Sequence, residues 1–144
     1  MKPAALLLTV SLLAPSAALA GASFEMRVVI PCAPGDTPHP APNGEAFCLS
    51  PDVIVDRSNV VDAQKADGRP GPVLRFLLDP AGRKRFEDAT TALSAARGRL
   101  AILYDGKIVS APIVLDPISG GQGEIAGFDP AALEAAADDL KAKK

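Results

Sequence analysis

Two Asp-Pro-Ala junctions divide the second half of this chain and limit what it can become. Asp79-Pro80-Ala81 follows the apolar run Val73–Leu78, and Asp129-Pro130-Ala131 follows residues 125–128. Each puts a carboxylate at a helix N-cap, where it accepts free backbone N–H groups. Each then puts proline at the first helical position, where a missing donor costs nothing. Beyond Pro80, Phe86, Ala89, Leu93 and Ala96 recur three and four apart, which predicts one buried face with Gly98 as the stop. Beyond Pro130, Leu133, Ala136, Ala137 and Leu140 form a second stripe. Lys141, Lys143 and Lys144 suit the C-terminal end of its dipole. Helices this short are marginal in water, so each stripe needs a sheet to cover it.

The remaining apolar runs supply that sheet. Phe24–Ile30 reads as the first strand, followed by residues 46–49 and 53–55 with Ser50-Pro51-Asp52 as a turn between them. Residues 60–63 are a short apolar stretch of undecided type, residues 66–72 a loop and Val73–Leu78 a strand. Asp105-Gly106, between Leu100–Tyr104 and residues 107–109, is a strong hairpin signal because both turn positions must tolerate positive φ. Pro112 to Leu115 continues extended. Gly120-Gly121-Gln122-Gly123 reads as a flexible loop, and Ile125 opens a last short strand. The predicted fold is α+β: a mostly antiparallel sheet with both amphipathic helices packed on one face.

Residues 1–20 have the order of a secretory signal: Lys2, an apolar run from Ala4 to Leu13, then Ala18-Leu19-Ala20 before Gly21. Cleavage is expected between Ala20 and Gly21, with a short membrane anchor as the alternative. No later stretch approaches the roughly 20 apolar residues of a membrane span, so the expected mature chain is soluble and periplasmic. Cys32 and Cys48 suit that compartment. They flank a stretch holding Pro34, Pro38, Pro40 and Pro42. A bridge between them closes a loop worth about 3 kcal/mol in the chain-entropy model. The rival is a metal site with His39, which has only three candidate ligands and no C-x-x-C spacing. The chain therefore reads as a signal over 1–20, an N-terminal strand and Pro-rich loop over 21–45, and a main domain over 46–144.

Composition argues against several functions. Lys+Arg 15 against Asp+Glu 17 gives a net charge of −2, which is no footprint for nucleic acid. One His leaves little for metal or acid–base chemistry, and the absence of Trp with 4% aromatics disfavours an aromatic cage. Ser110 lacks a nucleophile-elbow context, and the Gly120–Gly123 stretch is not followed by the Lys-Ser or Lys-Thr of a phosphate loop. Arg83-Lys84-Arg85, with Arg97 and Arg99, reads as a solvated face partly neutralised by Glu87 and Asp88. The expectation is a protein that is not an enzyme, with no catalytic residues, metal or cofactor.

The run from Gly98 to Pro112, GRLAILYDGKIVSAP, resembles the head subdomain of the large periplasmic domain of SecD and SecDF, the export-accessory membrane proteins. The resemblance continues through Ile118, Gly120-Gly121 and Ile125-Ala126-Gly127-Phe128 into the Ala- and Leu-rich helix. Upstream it takes in Asp79-Pro80, Gly82, Phe86 and Thr90, and residues 60–63. It covers roughly residues 46–140. Tyr104 stands where the family usually has an aliphatic residue, Glu124 and Ala126 depart from its pattern, and the Pro-rich loop has no counterpart in it. The charged membrane segments that couple the proton gradient to export are missing too. The resemblance implies a binding role, since the family's head is thought to engage emerging polypeptide.

Two functions follow as expectations. One is a soluble periplasmic module, accessory to export, that takes an extended polypeptide at a sheet edge or apolar groove. Ile113, Val114 and Leu115, with Ser119, Gly120 and Gly121, are its candidate contacts. The other is an adaptor subunit dedicated to one envelope protein, without a client role. The partner in either case is a protein, not nucleic acid.

Overall fold

The computed structural model describes residues 21–141; the expected signal segment, including Ala20, and the last lysines lie outside the described residues. The elements run β1 (Phe24–Ile30), β2 (His39–Pro40), β3 (Ala46–Asp56), a 3-10 turn at Arg57–Asn59, β4 (Val60–Ala66), β5 (Val73–Leu78), α1 (Pro80–Ala96), β6 (Leu100–Tyr104), β7 (Lys107–Ser110), β8 (Gln122–Ile125) and α2 (Pro130–Lys141). All strand pairs are antiparallel, and with the two helices the fold is α+β. The strands divide into two sheets, one ordered β2-β3-β1-β6-β7 and one ordered β4-β5-β8. α1 packs against β3 and β5, and α2 against β4 and β5.

A single main core joins both sheets and both helices. Alternation along β1 sends Phe24 and Met26 into it, and alternation along β6 sends Leu100 and Ile102. Phe76 and Phe86 meet edge to face in its middle, 5.9 Å between ring centroids. The opposite face of the first sheet carries a second small cluster of Ala101, Leu103 and Ile108, against which Val29, Phe47 and Leu49 pack. The Pro-rich stretch folds back over this face as the β2–β3 hairpin. The Cys32–Cys48 disulfide holds the two ends of that flap together, with 5.2 Å between Cα atoms. That pairing sets aside the metal site with His39, whose side chain is exposed on β2.

Both Asp-Pro caps form. Asp79 Oδ1 accepts from the Gly82 N–H at 2.7 Å, and Asp129 Oδ1 accepts from the Ala131 N–H at 2.9 Å. The Asp105-Gly106 turn forms as well, with φ of 51° and 75°. Four local expectations need correcting. Ser50-Pro51-Asp52 is no turn but a bulged part of β3, because the Arg27 guanidinium on β1 collects the carbonyls of Ser50 and Pro51. The buried face of α1 is Gly82, Phe86, Thr90 and Leu93, whereas Ala89 is only half-buried and Ala96 is exposed. The left-handed residue closing α1 is Arg97, at φ 52°, not Gly98. Gly98 follows it, its N–H donating to the Leu93 carbonyl at 2.8 Å, and a Cβ there would press on the end of the Leu93 side chain. Finally, Gln122-Gly123 belongs to β8 and is not loop.

A polar clamp fastens the C-terminal helix. Asp139, in the last turn of α2, accepts from Tyr104 Oη at 2.9 Å and from Arg57 Nη1 at 2.6 Å; Arg57 also reaches the Ala22 carbonyl at 2.8 Å. The Arg57 bond, partly offset by burial, holds the Asp139 carboxyl below the usual carboxylate range. Burial first, and then the bond to Asp139, push the Tyr104 phenol up to about 12.

Candidate functional site

The chain between β7 and β8 forms one bank of an apolar groove of about 340 Å³. Its first part lies beside the start of β6. Leu100 N–H donates to the Pro112 carbonyl at 3.1 Å, and Val114 N–H donates to the Gly98 carbonyl at 2.9 Å. Arg99 and Ile113 face each other between those two bonds. In such a pair the facing residues turn their own N–H and C=O groups outward. The carbonyl of Arg99 meets β1, accepting from Val29 N–H at 3.0 Å. The N–H and C=O of Ile113 turn to the open side and find no partner among the described residues.

The later part of the bank is tethered to α1. The buried Thr90 hydroxyl accepts from Ile118 N–H at 2.9 Å, and Arg83 Nε donates to the Ser119 carbonyl at 3.0 Å. Between these anchors Val114 is buried, while Ile113, Leu115 and Ile118 are 46%, 66% and 37% exposed. Exposed aliphatic side chains so close together mark an interaction site more often than isolated ones do.

The floor is the main core seen through the gap: Phe76, Phe86, Met26 and Ile102. The facing bank is β8. Gly123 opens the floor there, since a Cβ would lie 2.9 Å from the Phe76 ring. Its neighbour Gly121 is buried, at φ +68°; its carbonyl accepts from Leu78 N–H at 2.7 Å. Asp116 and Glu124 are the charged groups of the lining, and Glu124 is paired with Arg75 at 2.7 Å.

The structure thus brings Ile113, Val114 and Leu115 to the groove, whereas Ser119, Gly120 and Gly121 are not part of its lining, Ser119 being tied to α1 through Arg83. Pro112 opens the bank, its carbonyl accepting from Leu100 N–H. Gly127, at φ +107°, runs so close to β7 that a Cβ would lie 2.5 Å from the Val109 carbonyl oxygen. Phe128 stacks edge to face on Tyr104. The sequence reading missed the floor and the facing bank. Alternation in β5 points to Phe76, but the Gly-rich composition of β8 disguises its strand. Four of the five basic side chains have structural partners: Arg83 holds Ser119, Arg85 holds the Ile54 carbonyl and Asn59, Lys84 pairs with Asp88, and Arg99 sits over the Phe47 ring, while Arg97 is exposed. Among the described residues no cluster of three potential metal ligands occurs, and no helix is long and apolar enough to cross a membrane.

Residues 35–142 match the family model of the SecDF P1 head subdomain. The chain belongs to that family. It is 42% identical over 71 residues to protein translocase subunit SecD of Treponema pallidum, covering 49% of this chain and 12% of that protein. It is 41% identical over 61 residues to SecDF of Thermus thermophilus, covering 42% of this chain and 8% of that protein. The chain therefore spans a small fraction of the length of these curated relatives. Two solved SecDF structures share the fold at TM-score 0.65 and 24% identity. One, a membrane component that enhances protein export, is matched over 84% of this chain and 62% of its own; the other, SecDF in a super-membrane-facing form, over 83% and 18%. The match begins at residue 35 and so takes in most of the Pro-rich flap, which the sequence reading left outside the resemblance; Tyr104 is used to clamp α2.

Proposed function

We propose that this chain is a periplasmic binding domain accessory to protein export, which holds an extended stretch of polypeptide in the groove between residues 112–118 and β8. The observation that carries this reading is the unpartnered backbone of Ile113 set beside an apolar floor. An extended chain offers backbone donors and acceptors for the first and side chains for the second. The groove's volume is near the lower end of ligand pockets, which run from about 300 Å³, and suits a short segment better than a folded surface. Its relatives are protein translocase subunits, which supports placing the domain near emerging chains. The reading includes no catalytic step.

Site-specific photo-crosslinking in cells tests it, with the reactive side chain at Leu115 and, separately, at Ser119. Many crosslinked exported proteins at Leu115 are expected. One discrete product would instead assign the domain to a single envelope partner. No product from either position would remove polypeptide as the occupant.

A further inference from the structure

The bank facing Ile113 is itself a sheet edge. β8 is the outer strand of β4-β5-β8. Its pairing with β5 begins with the bond from Leu78 N–H to the Gly121 carbonyl, and the register then sets Leu77 against Gln122 and Arg75 against Glu124. Antiparallel bonds alternate, so Gln122 and Glu124 turn their backbone N–H and C=O groups away from β5. The residues alternating with them, Gly123 and Ile125, face Phe76 and the core. The groove therefore has the outward backbone of one sheet on one side, at Ile113, and that of the other sheet on the other side, at Glu124. The same apolar floor lies beneath both.

We propose that the groove is a two-sided strand-insertion site, in which one extended segment hydrogen-bonds to Ile113 and to β8 together and joins the two sheets into one. This rests on the export reading above and specifies how that occupant is held. The occupant is an extended segment of another polypeptide with apolar residues at alternate positions. Those residues face Phe76 and Phe86, and the residues between them face solvent. Positive charge at its flanks complements Asp116, since Glu124 is already paired with Arg75 and no cation among the described residues lines the groove. Insertion also satisfies the open edges, which are otherwise templates for unwanted pairing.

The geometry of an extended chain supplies the test. Successive residues direct their N–H groups to opposite sides, and their side chains alternate with the same period. The probe is an acetylated and amidated peptide alternating Val and Thr between terminal lysines. In one derivative every Val amide is N-methylated, and in the other every Thr amide. Binding is measured by fluorescence anisotropy on the intact chain. Two-sided insertion predicts that both derivatives bind at least about tenfold more weakly than the parent, because each loses hydrogen bonds on one bank. Hydrogen exchange with the parent bound is then slowed at both Ile113 and Glu124. Loss in one derivative only, with protection of one amide only, would overturn two-sided insertion and leave ordinary edge addition intact. Failure of the parent peptide to bind would overturn the export reading and this proposal together. A dimer in sedimentation without peptide, with Ile113 and Glu124 already protected, would assign the groove to a second copy of the chain and overturn the proposal.

Discussion

Tyr104 donates a 2.9 Å hydrogen bond to Asp139, and through it β6 is tied to the last turn of α2. Arg57 completes the clamp from the 3-10 turn. The phenol keeps its proton up to about 12, against an ordinary 10.0. The native state therefore binds that proton more tightly than the unfolded chain does. The resulting stability is full below about pH 10 and is lost as pH rises through about 12. Tyr104 is the chain's one tyrosine, so ultraviolet titration reads its phenol alone. Thermal melts across the same range should show an alkaline loss in the native protein that Tyr104→Phe lacks. Asp139 acts in the opposite sense. Its lowered value adds stability above the ordinary carboxylate range, and that stability is lost as pH falls below it. Asp139→Asn should flatten the acid limb.

The disulfide closes a loop with a sequence separation of 16, whose folded role is to cover Ala101, Leu103 and Ile108. The double replacement of Cys32 and Cys48 by Ser should cost about 3 kcal/mol in urea denaturation. Hydrogen exchange should rise first at Phe47 and along the outer face of β6. An equal rise in the second sheet would contradict the flap's local role.

The Thr90 hydroxyl is fully buried and serves Ile118 N–H while donating to the Glu87 carbonyl. Thr90→Val keeps the shape and removes the acceptor. It should cost about 1–3 kcal/mol, the penalty of an orphaned donor. Faster exchange of the Ile118 amide would locate that cost in the groove's bank. An unchanged rate at Ile118 would show that the tether does not hold it.

Gly127 and Gly106 both have positive φ, at 107° and 75°, but only Gly127 is crowded. Gly106→Ala should cost about 1–2 kcal/mol, the penalty for a left-handed alanine. Gly127→Ala should cost more, because the added Cβ meets the Val109 carbonyl, which is backbone and cannot rotate away. Equal costs by chemical denaturation would mean that the Gly127–Val109 approach relaxes freely.

These sites also show where the amino-acid sequence was legible. Caps and tight turns are local chemistry, so Asp79-Pro80, Asp129-Pro130 and Asp105-Gly106 could be read directly. Ser50-Pro51-Asp52 could not, because Arg27, more than twenty residues away, supplies the partner that keeps the strand going. The strand at Gln122-Gly123 was hidden for a similar reason: glycine there makes room for the Phe76 ring, a requirement visible only once the two are adjacent. Of the groove, the exposed bank at Ile113 to Leu115 was readable as an apolar extended run. The facing edge and the aromatic floor depend on how the second sheet meets the first, which no local pattern records.

Two bonds, Ile118 N–H to the Thr90 hydroxyl and Arg83 to the Ser119 carbonyl, tie the later part of the outer bank to α1, while its first part is held by β6. The opposite bank, β8, is carried by β5 instead. Any tilt of α1 relative to β5 is therefore also a change in the groove's aperture. A larger assembly that leaned on the solvent face of α1 would act on the opening without touching it, as a jaw is worked from its handle.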